Sequence, residues 1–67
     1  MKLVKILIKN STIESAVRTQ AEARGFEFFE YKKNIMVFKK DNGVIESIKD
    51  LKYIPGLGEY IDILEAG

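Results

Sequence analysis

Side chains able to do chemistry are concentrated at Ser11, Thr12, Glu14 and Ser15, between an apolar run over residues 3–8 and a helical pattern that runs to Arg24. A strand-to-helix corner of this kind offers free backbone N–H groups at the helix start, where many α/β proteins bind anions or hold reacting groups. Two readings fit. One is a binding or nucleophile site made of Asn10, Ser11, Thr12, Ile13, Glu14 and Ser15; the other is a capped corner with a structural role only. Ser11 followed three places later by Glu14 fits a capping box. A nucleophilic hydroxyl needs an activating base, and the chain contains neither histidine nor cysteine. Capping is therefore the simpler account of the corner.

The same absences remove thiol redox chemistry, disulfides, thiolate metal sites and the usual general base. No catalytic residue, cofactor or metal is expected. Carboxylate pairs such as Glu27 with Glu30 and Glu59 with Asp62 are spaced for solvated faces; a hydrolytic pair would be held across a cleft. Lys32, Lys33, Lys39 and Lys40, with Tyr31 and Phe38 beside them, form a candidate basic patch for single-stranded nucleic acid. Lysines that protect a sheet edge give the same pattern. Eleven basic against ten acidic residues leave a net charge of only +1, so the overall field does not call for nucleic acid. Pro55, Gly56 and Gly58, after Ile54, read as a turn with exposed backbone N–H groups.

These residues are held by one small domain over residues 1–67, with 46% apolar and 31% charged residues. Such a chain buries only about 60% of its unfolded surface, so its stability rests on efficient packing. Lysines interrupt the first apolar run, and neither a signal peptide nor a membrane span fits. A cytoplasmic location is the expectation. Leu3, Val4, Ile6, Leu7 and Ile8 read as a central strand with apolar groups on both faces. Ile13, Ala16, Val17 and Ala21 make a narrow helical stripe, and Gly25 is placed to end the helix. Residues 26–31 and 35–38 read as strands. Asp41, Asn42 and Gly43 then suit a hairpin turn into a strand over residues 44–47. The competing reading is a helix carrying Val44, Ile48 and Leu51 on one side. After Gly58 the spacing of Tyr60, Ile61 and Leu64 favours a C-terminal helix. Leu7, Val17, Phe28, Val37 and Leu64 are the expected core.

Three stretches resemble a shortened glutaredoxin or thioredoxin-like domain. The first strand running into the corner puts Thr12 and Ser15 at the two places of the C-x-x-C motif; Gly25, Phe26 and Phe28 are similar to the K-G-x-x-F segment before the second strand. Ile54, Pro55, Gly56, Leu57, Gly58, Glu59 and Tyr60 resemble the segment that opens the last helix. The resemblance implies a four-stranded mixed sheet with helices packed on it. Without cysteines it implies a non-catalytic module that binds a protein partner through the 10–15 corner and the 54–58 loop, or a cysteine-free variant of a redox protein. The alternative architecture is a ferredoxin-like β-α-β-β-α-β domain, with a helix over residues 44–51, a last strand over residues 59–65, and a role in binding single-stranded nucleic acid or a small ligand.

Overall fold

The computed structural model describes residues 2–40 and 46–66. Strand β1, Lys2–Ile8, is buried at every second residue, as a strand with one face on a core must be. A 3-10 turn, Ser11–Ile13, leads into helix α1, Glu14–Ala23. Gly25, at φ +87, takes the left-handed conformation that ends the helix. The chain returns through β2, Glu27–Lys32, and β3, Ile35–Lys40. Between them Lys33 and Asn34 both have positive φ, 53 and 66, which is the requirement of a two-residue type I′ hairpin. A 3-10 segment, Glu46–Tyr53, and a 3-10 turn, Gly58–Tyr60, then precede β4, Ile61–Ala66.

One four-stranded sheet forms in the order β2-β3-β1-β4, with all three pairings antiparallel. Each crossover skips one strand: β1-α1-β2 leaves room for β3, and the connection from β3 to β4 leaves room for β1. α1 and the 46–53 segment cover the same face. Val17 and Ala21 of α1 and Ile48 and Leu51 of the 3-10 segment pack on Val4, Ile6, Ile8, Met36, Phe38 and Ile61. A fully buried side chain of this size contributes about 1.5–3 kcal/mol, so these few contacts hold the domain. Leu3, Lys5 and Leu7 of β1 and Ile35, Val37 and Lys39 of β3 lie on the other face, which no helix covers among the described residues.

Several expectations change. The sheet is antiparallel throughout where a mixed sheet was expected. Of the strand expected over residues 44–47, Val44 and Ile45 lie outside the described residues, while Glu46 and Ser47 open a helical segment. The expected C-terminal helix is the strand β4. Tyr60 and Ile61 are instead set by pairing with β1, where Lys9 N–H donates to the Tyr60 carbonyl at 2.8 Å and Ile61 lies opposite Ile8.

The core also shifts. Val17 is fully buried as expected, and Val37 is buried on the face away from the helices. Leu7 and Phe28 are half-buried. Leu64 is 52% exposed, because the register with β1 slips between Ile63 and Glu65 and makes Leu64 the extra residue of a bulge.

Candidate functional site

The corner after β1 is closed on itself. Asn10 is the cap: its Oδ1 accepts the Thr12 N–H at 3.0 Å and the Thr12 hydroxyl at 2.8 Å. Ile13 N–H donates to the Asn10 carbonyl and Glu14 N–H to the Ser11 carbonyl. Three backbone N–H groups that an anion would need are thus already used. The expected Ser11–Glu14 capping box does not form, because the Glu14 carboxylate instead accepts the Tyr31 hydroxyl at 2.9 Å. That bond joins α1 to β2; desolvation first, and then the bond to Glu14, push the Tyr31 pKa above its ordinary value. Ser15 is exposed beside a small hollow of about 140 Å³, over which the Arg18 guanidinium stacks on the Phe28 ring at 4.2 Å.

Ile54, Pro55, Gly56 and Gly58 lie at the same end of the sheet as the corner, since Tyr60 is bonded to Lys9. Pro55 and Gly56 are the central residues of a turn closed by Leu57 N–H to the Ile54 carbonyl at 3.1 Å, with Gly56 at φ +77. This is the type II pattern. Gly56 N–H donates to the Glu59 carboxylate. Gly58 N–H donates to the Ile54 carbonyl, and a side chain at Gly58 would collide with the Lys52 backbone. The loop is therefore built for close packing.

The four lysines do not form one patch. Lys32 and Lys33 flank the hairpin at one end of β3 and Lys39 and Lys40 sit at the other, about 17 Å apart at the strand rise per residue. Lys39 pairs with Glu27 at 3.6 Å and lies over Phe29, and Lys40 donates to the Arg24 carbonyl and lies over Phe26. Phe38 is fully buried and edge-on to Phe28, so it offers no ring for base stacking.

A feature that sequence reasoning missed is an open groove of about 760 Å³ between the 46–53 segment and β4, lined by Lys49, Lys52, Tyr53, Asp62, Ile63 and Leu64. Tyr53 is 83% exposed. Lys52 reaches across the groove floor: its Nζ donates to the Ile61 carbonyl at 2.7 Å and sits 3.5 Å from Asp62 Oδ1, while Lys9 Nζ is 3.1 Å from Asp62 Oδ2. Lys9 first, and then Lys52, hold the Asp62 carboxyl below its ordinary pKa against a smaller opposing effect of burial. The signal was the pair of exposed-type residues Lys49 and Lys52 on a segment whose helical state the sequence left open.

Among the described residues no group of three or more acidic, histidine or cysteine side chains is placed to hold a metal, and no helix is long and apolar enough to cross a membrane. Comparison with protein-family models, with curated proteins and with solved structures finds no match to the chain.

Proposed function

We propose that the chain is a non-catalytic protein-binding domain on the ferredoxin-like plan, engaging its partner at the groove between the 46–53 segment and β4. The order strand, helix, strand, strand, helical segment, strand supports that plan, as does an antiparallel sheet with β1 and β3 in the middle. A thioredoxin-like domain would need a strand after residue 43 and a helix after Gly58; Glu46–Tyr53 is helical and Ile61–Ala66 extended.

The groove carries the functional reading. It brings two exposed large apolar side chains, Tyr53 and Leu64, beside two lysines, the mixture of aromatic anchor and charged rim that protein interfaces use. The 10–15 corner is a weaker surface, because the N–H groups of Thr12, Ile13 and Glu14 are used within it and the Glu14 carboxylate is taken by Tyr31. The hydroxyls at Ser11, Thr12 and Ser15 have no histidine or cysteine to work with, which supports a binding role over catalysis.

The test is a photo-crosslinking phenylalanine analogue placed at Tyr53 and, separately, at Ser11, in cells that naturally make the chain. A protein adduct from position 53 that is absent from position 11 is expected. Adducts from position 11 alone, or adducts to nucleic acid from either, would overturn the reading.

A further inference from the structure

The two outer strands differ in how their edges are closed. β2 carries Glu27, Glu30 and Lys32 and a bulge at Phe29, where its register with β3 slips. Charges and bulges of this kind hinder another chain from pairing. β4 has a bulge too, at Leu64, and the charges of Asp62 and Glu65, so its edge is open only just before that bulge. Antiparallel pairs alternate between bonded and non-bonded residues. Lys9 N–H donates to the Tyr60 carbonyl, which puts the inward-facing groups at Tyr60 and Asp62, so Ile61 and Ile63 turn their backbone groups away from β1. At Ile61 both outward groups are satisfied, the N–H by the Gly58 carbonyl and the carbonyl by Lys52 Nζ at 2.7 Å. At Ile63, the next outward residue and part of the groove lining, no such partner is present among the described residues.

From this we infer that an extended peptide of alternating apolar and acidic residues adds to β4 as a fifth strand, bonded at Ile63. The inference rests on the protein-binding reading above and deepens it by naming the class of partner. Backbone pairing at an open edge gives affinity, and pockets for alternate side chains give selectivity. The groove supplies both kinds of contact. Ile63, Tyr53 and Leu64 present apolar surface. Charge decides between acidic and basic partners: the lining holds Lys49 and Lys52 against Asp62 alone, and that carboxylate is already shared by Lys9 and Lys52. Lys49 has no carboxylate partner among the described residues. An acidic side chain on the added strand meets an unneutralised ammonium there, whereas a basic one meets repulsion. Lys52 on one side and the bulge at Leu64 on the other confine the backbone pairing to Ile63.

The experiment is an array of peptides of about eight residues, long enough to lie along one strand, varied at each position among acidic, basic and apolar side chains. Selection of alternating apolar and acidic residues is expected, with binding that weakens as salt is raised. Methylating one peptide nitrogen within the paired stretch should cost about tenfold in affinity, and Lys49→Glu a similar factor, with the thermal melt unchanged. Amide exchange at Ile63 should slow when peptide is bound. Selection of basic peptides, no binding up to about 1 mM, unchanged exchange at Ile63, or pairing of β4 with a second copy of the chain would each overturn strand addition. A protein adduct at position 53 without any peptide binding would leave the binding-domain reading standing and remove this one.

Discussion

Gly58 has no side chain because there is no space for one: an added methyl would run into the backbone of Lys52, whose ammonium is itself fixed on the Ile61 carbonyl. Gly58→Ala should therefore cost about 2–3 kcal/mol in a urea titration. Gly56 is a useful contrast, since a methyl there meets open space and only its φ of +77 is unfavourable; Gly56→Ala should cost about 1 kcal/mol. Two side chains also make stability depend on pH, in opposite directions. Tyr31 has its pKa raised by burial and by donation to Glu14, so its contribution is full below the ordinary value of 10.0 and is lost as pH rises through the higher folded value. Asp62 has its pKa lowered chiefly by Lys9, so its contribution is present above 3.8 and is lost as pH falls through the lower folded value. Tyr31→Phe should flatten the alkaline limb of the stability profile, and Asp62→Asn the acid limb.

Among the elements, the 46–53 segment is the one whose type decides the topology. A 3-10 helix has three residues per turn, so side chains three apart stack in line. Ile48, Leu51, Ile54 and Leu57 follow that spacing, and Ile48 and Leu51 are fully buried while Ile54 packs against the same core. This regularity was present in the sequence. A helical reading already places Ile48 and Leu51 on one side, but Asp41, Asn42 and Gly43 favour a hairpin by local turn chemistry alone. Ile48→Ala and Leu51→Ala should each cost about 2–5 kcal/mol. Leu64→Ala should cost under about 0.5 kcal/mol, because its bulged position leaves the side chain in solvent. Equal losses at Leu64 and Leu51 by urea titration would mean that the β4 register is wrong.

For the whole molecule, the distribution of charge matters more than its sum. The net charge of +1 hides lysines at both ends of β3, and those at Lys39 and Lys40 are engaged with Glu27, Arg24 and aromatic rings. With no single basic track among the described residues, single-stranded oligonucleotides should bind no tighter than about 10⁻⁴ M at physiological salt and release further as salt is raised; fluorescence anisotropy reads this directly. Binding in the micromolar range at physiological salt would require the lysines to act together in a way that the sheet does not allow.

What the sequence determined by itself was whatever depends on neighbours along the chain. The β1 strand is readable from the apolar, β-branched run of Leu3, Val4, Ile6, Leu7 and Ile8, α1 from Val17 and Ala21, and the helix stop from Gly25, because strand propensity, helical spacing and glycine's freedom at positive φ are local properties; that only Val4, Ile6 and Ile8 of the run are buried was set by the packing. The lack of cysteine and histidine likewise excludes thiol and imidazole chemistry whatever the fold. Tertiary structure decided the remainder. Tyr60, Ile61 and Leu64 have a spacing that suits a helix, yet Ile61 and Ile63 gain more by pairing with Ile8 and Ile6 of β1, a partner more than 50 residues away in the chain. The spacing of Ser11 and Glu14 suits a capping box, but Tyr31 from β2 takes the Glu14 carboxylate. The groove could not be foreseen, because Lys49 and Tyr53 meet Ile63 and Leu64 only after the last strand has docked beside the first. In each case the winning contact joins residues remote in sequence, and no local rule contains that information.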